Sequence, residues 1–317
     1  MPQGWRLDLV GIDRSDHWPT MSRVANTIEA AGYESLWVYD HFHTVPVPTQ
    51  EVTYEAWTLM AALGATTSSV RLGQMCTCNS YRPPAYLAKV AASIDVITNG
   101  RLEMGIGAGW YEHEYIGYGY PFPKPSVRIG QLREAVEIMR ALWTEDEVDY
   151  DGEYYRLEGA ICSPKPIQDP HVPLWIAGGG EKLTLRIAAR YANYTNFADS
   201  PVEFVHKSDI LAAHCKDVGT DFSAIVRSTN LTMICAPTEA DVTERIDEII
   251  SRLTPLIGDE AAGSARRLVT PMSGTPEQIS EKLQPWVDAG VGYFIINFPD
   301  AAYDTASLEL FAREVAA

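Results

Sequence analysis

Short apolar runs alternate with amphipathic segments along the whole of this chain, and that alternation restricts the fold more than any other feature. Residues 35–39, Ser-Leu-Trp-Val-Tyr, set the pattern: they follow a helix-ending Ala31-Gly32 and leave into a polar, Pro-rich segment. Such a run reads as a parallel strand buried on both faces. Taken in order, strands are predicted at 6–12, 35–39, 70–77, 101–106, 173–177, 193–197, 227–236 and 293–298. Helices are predicted between them at 18–31, 54–65, 83–98, 129–143, from the glycines 178–180 to Tyr191, then 201–218, 239–253 and 275–289, with a last one at 305–315. Pro83-Pro84 suits a first helical turn, and Asn99-Gly100 ends that helix. Residues 148–157 read as an inserted hairpin turned at Asp151-Gly152, and 254–273 fit neither period. Eight strands in strict alternation predict a (β/α)₈ TIM barrel with loop insertions. No linker, repeat or low-complexity run divides residues 1–317, so one domain is expected.

Composition narrows the function. A formal net charge of −17 argues against nucleic acid or an anionic membrane as partner, because both require a basic face. An anionic ligand would have to be held by local main-chain N–H groups or a few placed cations. No apolar run approaches the roughly 20 residues that span a bilayer, and residues 1–14 lack the pattern of a signal peptide. Cys76, Cys78, Cys162, Cys215 and Cys235 are odd in number and scattered, the usage of a reduced cytoplasmic compartment.

In a parallel barrel, chemistry belongs at the strand exits, where loops converge on one mouth. Those exits carry Asp40, His41 and His43; Cys76, Thr77 and Asn79; Gly107-Ala108-Gly109-Trp110; Gly178 to Gly180; Asn196; and Asn297. The run Gly105-Ile-Gly-Ala-Gly-Trp110 lets a ligand or a neighbouring backbone approach closely; it lacks the spacing of a dinucleotide fingerprint, and a tight packed turn is the alternative. Ala177-Gly178-Gly179-Gly180 ends a strand before a helix, an arrangement suited to a phosphate or to a plain β–α turn. His41-x-His43 resembles paired metal ligands of barrel hydrolases, but matching partners are lacking except for His113. A single His41 serving as proton donor or acceptor needs only a carboxylate, and Asp40 is adjacent. The loop 107–127, with Trp110, Tyr111, Tyr115, Tyr118, Tyr120 and Phe122, offers aromatic surface for a flat ring or a substrate.

The runs Trp37-Val-Tyr-Asp-His-Phe42, Tyr81-Arg-x-Pro-Ala85, Gly100-Arg-Leu-Glu-x-Gly-Ile-Gly-Ala-Gly-Trp110, Tyr154-Tyr-Arg156, Pro164-Lys-Pro166, Ile176-Ala-Gly-Gly-Gly180 and residues 290–299 resemble the luciferase-like monooxygenase superfamily. The likeness is nearest to members that use the deazaflavin coenzyme F420. It implies a coenzyme ring in the barrel mouth, with Asp40 and His41 beside the redox carbon and His41 handling a proton. It also implies a non-prolyl cis peptide within Met75, Cys76 and Thr77. Main-chain groups at Gly107, Ala108, Gly109 and Trp110, at Ala177, Gly178, Gly179 and Gly180, and Asn196 would then contact the ring and its phosphate-bearing tail. In the family's sugar-phosphate dehydrogenases a glutamate stands where this chain has Trp110, and a tryptophan where it has Val45. That departure points away from sugar-phosphate oxidation and toward an F420H2-dependent reductase of an activated C=C or C=N bond in a small molecule. An FMN-dependent monooxygenase is the alternative within the family, and a metal-dependent barrel hydrolase the alternative outside it. A homodimer is expected because similar proteins commonly form one.

Overall fold

The structure is a computed structural model that describes residues 1–316. The elements run α1 (His17–Ala30), β1 (Ser35–Val38), α2 (Ala56–Thr66), β2 (Arg71–Gln74), β3 (Thr77–Cys78), α3 (Pro84–Ile97), β4 (Leu102–Gly107), α4 (Glu112–Gly117) and α5 (Pro125–Thr144). They continue with the hairpin β5 (Val148–Asp151) and β6 (Arg156–Ala160), then β7 (Leu174–Ala177), α6 (Thr184–Tyr191), β8 (Tyr194–Asn196), α7 (Pro201–Val218), β9 (Val226–Thr232), α8 (Glu239–Val269), α9 (Pro276–Asp288), β10 (Tyr293–Asn297) and α10 (Ala306–Glu314). The strands pair in the order β1-β2-β4-β7-β8-β9-β10, with β3 added on β4 and every pairing in this sheet parallel. The result is a nearly closed barrel wrapped by helices, a TIM-barrel-like fold.

The continuous apolar character of the strands follows from this architecture. Leu36, Val38, Leu72, Met104 and Ile176 face the helices and join the main core. Trp37, Met75, Trp175 and Ile295 form a separate cluster, where Trp175 stacks on Tyr194 at 4.0 Å between centroids and meets Trp37 edge-on at 4.7 Å. The Trp175 Nε1–H donates to Glu103 at 2.6 Å, so the one polar atom of that buried ring has a partner.

The first expected strand, at 6–12, is not formed: the segment is a series of turns. Gly4, Leu7 and Gly11 adopt positive φ, which a strand does not tolerate. The Asp8 carboxylate accepts from the main-chain N–H groups of Gln3 (3.0 Å) and Gly4 (2.6 Å), fixing the turn locally. Leu7 and Leu9 are buried in two different clusters, which explains an alternating sequence pattern without a strand. Among the described residues β10 and β1 are therefore not paired with each other; Ser35 Oγ and Tyr293 Oη meet across the gap at 2.6 Å. Residues 254–269, which fitted no period, continue α8 beyond a break at Gly258 (φ 77°, ψ 165°).

Glu29, near the end of α1, ties that helix to the turn entering β2. Its carboxylate accepts from the N–H groups of Ser68 (2.8 Å), Ser69 (2.5 Å) and Val70 (3.0 Å). Burial works to raise its pKa, but these bonds outweigh it and bring the value from 4.5 to about 2. The contribution of a carboxylate depressed in this way is present above its unfolded value and is lost as pH falls from 4.5 toward about 2. Glu29→Gln is expected to cost about 1 kcal/mol near neutral pH after allowance for solvent screening. In urea melts across that acid range, the gap between the two proteins should close as pH falls; a gap independent of pH would contradict the assignment.

Candidate functional site

The chain leaves β1 at Val38, so the alternation that would set Asp40 and His41 on opposite faces no longer holds there. Both side chains line one cavity of about 540 Å³ at the strand exits. Asp40 is buried at the root of this site. It accepts from Arg82 Nη1 (2.7 Å) and Nη2 (2.9 Å) and from the Cys78 N–H (2.9 Å). Arg82 also donates to Glu55 at 2.6 Å, and Glu55 caps α2 through the N–H groups of Trp57 and Thr58. Burial pushes the Asp40 carboxyl above its ordinary value while Arg82 opposes the shift. Asp40 thus locks the exits of β1 and β3 together, and the carboxylate that holds His41 is a different one.

That carboxylate is Glu114 on α4, fully buried and 73 positions away along the chain. Its oxygens engage His41 Nδ1 (2.9 Å), the N–H groups of Phe42 (2.7 Å) and His43 (2.8 Å), and the Tyr81 hydroxyl (2.7 Å). Burial alone would raise its pKa; the His41 bond and charge, with the His43 and Tyr81 bonds, outweigh that and leave it below the usual carboxylate range. Trp5 stacks on the His41 ring at 4.4 Å with a 4° interplanar angle, and Trp110 and Tyr111 approach it edge-on at 5.7 and 6.0 Å. With Nδ1 fixed, Nε2 is the ring nitrogen without a protein partner among the described residues. An ionised Glu114 orients the imidazole and favours the proton on Nδ1, so Nε2 is set to take or give a proton.

The other predicted residues divide. Met75, Cys76, Gly107, Ala108, Gly109, Trp110, Ala177 and Gly178 line the same cavity. A non-prolyl cis peptide joins Met75 to Cys76. Burial pushes the Cys76 and Cys78 thiols up to about 12, so both are neutral near physiological pH. Thr77 turns inward and donates to Gln74 at 2.8 Å. The Asn196 amide is spent on Ser228 (3.0 Å) and Asn230 (3.1 Å), and it is Asn230 that reaches the cavity. Gly179 and Gly180 lie beyond the cavity wall, and a turn at residues 181–183 precedes α6. Their N–H groups have no acceptor among the described residues, whereas the Gly178 N–H donates to Asn196 O at 2.9 Å.

Gly105 in β4 and Gly109 in the loop just after it answer to packing. A Cβ on Gly105 would stand 1.9 Å from Gln74 O, and one on Gly109, at φ +78°, 1.9 Å from Tyr115 Oη. His43 turns away from His41 and meets His113 with Nδ1 atoms 2.8 Å apart. Among the described residues no three His, Cys, Asp or Glu side chains gather as a metal cluster.

Sequence reasoning missed Glu114, Arg6 and Arg128. Arg128 is 7% exposed and lines the cavity with its guanidinium 4.0 Å from the Phe122 centroid; its Nε has no partner. A shallower groove of about 300 Å³ shares Ile129 with the cavity and carries Arg133, Arg186 and Arg190.

A parallel barrel with an aromatic-walled cavity at its strand exits and a carboxylate-held imidazole has the makings of an enzyme site. Residues 7–292 match the luciferase-like monooxygenase family model, and the chain belongs to that family. It is 29% identical to an F420-dependent glucose-6-phosphate dehydrogenase of Nocardia farcinica, over 92% of this chain and 91% of that one. It is also 29% identical to a phthiodiolone/phenolphthiodiolone dimycocerosates ketoreductase of a Mycobacterium species, over 77% and 70%. Among solved structures, an F420-dependent secondary alcohol dehydrogenase in complex with an F420-acetone adduct superposes with a TM-score of 0.79 at 23% identity, covering 94% of each chain. A monooxygenase from Streptomyces bottropensis gives 0.78 at 20% identity, over 96% of this chain and 94% of that one, so at this level the likeness is one of fold.

Proposed function

We propose that this protein is an F420-dependent oxidoreductase that moves a hydride between the deazaflavin and a small organic substrate, acting as a reductase of an activated C=C or C=N bond. The observation that carries the reading is the lining of the cavity, which takes in His41, the Met75–Cys76 bend, the glycine turns and Arg128, with a separate groove beside it that shares Ile129 and carries Arg133, Arg186 and Arg190. A flat ring with an acidic, phosphate-bearing tail fits that sequence of surroundings. In a chain of charge −17, Arg128, Arg186 and Arg190 would be the local cations for an anionic tail, Arg133 being paired with Glu134 and Glu137.

When bound and reduced, the coenzyme supplies a hydride; the protein does the rest. Trp110 and Tyr111 would wall the site beside His41. The main chain at Gly107, Ala108, Gly109 and Gly178 would approach the ring with little side-chain bulk, and Gly179 and Gly180 offer free N–H groups to the tail. His41, oriented by Glu114, would deliver the Nε2 proton of its imidazolium form to the substrate atom that gains negative character, leaving the neutral ring with its proton on Nδ1. Trp110 occupies the place of the sugar-phosphate dehydrogenases' glutamate, which favours a flat, weakly polar substrate.

The test is an anaerobic assay with deuterium-labelled F420H2 and a panel of enones and cyclic imines. Deuterium should appear in a reduced product. Turnover that instead requires oxygen and reduced FMN would replace this reading with the monooxygenase one.

A further inference from the structure

A second cavity of about 500 Å³ adjoins the first and shares Trp5, Arg6, Trp110 and Tyr111 with it. Its roof is the two arms of α8, residues 239–257 and 259–269, folded back at Gly258 and tied by Arg266 Nη2 and Asp247 Oδ1 at 2.5 Å. The walls contributed by Leu7, Ile249, Leu253, Ala265 and Leu268 are apolar. A sugar or another small polar molecule would leave that surface in contact with water, whereas an extended apolar body would cover it.

Two cations interrupt the apolar lining. The Arg252 guanidinium lies 3.6 Å from the Tyr303 centroid, and the Arg6 guanidinium lies 4.7 Å from that of Trp5. Among the described residues neither forms an ion pair, and the buried Nε of Arg6 has no hydrogen-bond partner. The one carboxylate in the lining, Asp8, has Oδ1 committed to the N–H groups of Gln3 and Gly4 and lies near enough to Arg6 for their charges to interact, so it leaves Arg252 as the cation without a carboxylate in the lining. Each guanidinium therefore has a face on an aromatic ring and N–H donors left for an acceptor, the disposition of an anion site.

We infer that this chamber holds an apolar ligand bearing a carboxylate or similar anion, with the anion on Arg252 and the body under the α8 hairpin. Arg6, at the junction of the two cavities, faces the end nearest His41. In calling that ligand the substrate, the inference rests on the coenzyme reading above; the binding site itself does not.

The experiment compares two fluorescent probes that differ only in a sulfonate, 8-anilinonaphthalene-1-sulfonate and N-phenyl-1-naphthylamine, on the intact protein without coenzyme. The anionic probe should bind at least about tenfold tighter. Arg252→Met should bring the two affinities within about threefold of each other, and Ala265→Trp should weaken both probes about tenfold or more while F420 affinity stays put. Equal affinities in the parent protein would overturn the inference, as would unchanged probe binding in Ala265→Trp or displacement of the probe by F420. Arg252→Met preserves the test if Ala265→Trp does not fold. Probe binding without any F420 affinity would sink the coenzyme reading and leave the chamber standing.

Discussion

Replacing His41 with alanine is expected to lower kcat by about 10²- to 10⁴-fold, the range over which a positioned acid or base acts. The coenzyme affinity should change by no more than about threefold. The asymmetry follows from the geometry. His41 contributes one wall of the cavity, but Nε2 is its single ring nitrogen facing away from Glu114, and among the described residues no other imidazole lines the cavity. Cys76 and Cys78, the nearest alternative proton carriers, are held neutral with pKa values pushed up to about 12. Steady-state rates with reduced F420, and coenzyme titration of both proteins, separate chemistry from binding. A variant that retains kcat would remove His41 from the reaction.

Glu114→Ala should be the most damaging single change to both stability and turnover. It strips the acceptor from His41, Tyr81 and two main-chain N–H groups at once, at a carboxylate that is fully buried. A loss of about 3–5 kcal/mol is expected, as when one side of a buried pair is removed. Glu114→Gln, which keeps the volume, should fold and separate the two effects: its amide NH2 would face donors already in place, so the His41 ring loses its fixed orientation and kcat falls while the protein remains folded. The sign with pH is fixed by Glu114's pKa being below its ordinary value. The stabilisation is present above the unfolded value of 4.5 and is lost as pH falls through the depressed folded one. Chemical denaturation of parent and Glu114→Gln across the acid range measures this directly. A difference that grows as pH falls would contradict the ionised, hydrogen-bonded assignment.

Most of the barrel is legible in the sequence, because a strand covered on both faces must be largely apolar, with its few polar side chains paired inside the barrel, and then stop. Ser35–Val38, Leu102–Gly107 and Leu174–Ala177 do this, and all lie within a residue or so of where the pattern puts them. Residues 6–12 mislead because Leu7 and Leu9 are buried for different reasons, one against the α8 hairpin and one in the main core. Positive φ at Leu7 is not written in its side chain. The reversal in α8 hides because Pro255 and Gly258 interrupt the helical period just where the second arm begins.

The site divides along the same line. His41 and the glycine turns sit at strand exits and can be found by position alone. Glu114 cannot, since the same short helix carries Glu112, equally acidic and exposed, and only the fold selects which one turns toward His41. Asp40 was the sequence's nearest carboxylate to His41, yet Arg82, from the turn after β3, claims it.

The central claim is that the cavity beside His41 holds coenzyme F420. The most direct measurement is an equilibrium titration of the purified protein with F420 and with FMN, followed by tryptophan fluorescence, since Trp5 and Trp110 both line the cavity. The account predicts saturable quenching by F420 at one molecule per chain, with a Kd at least about tenfold below that for FMN. Tighter binding of FMN, or no binding of either, would contradict it.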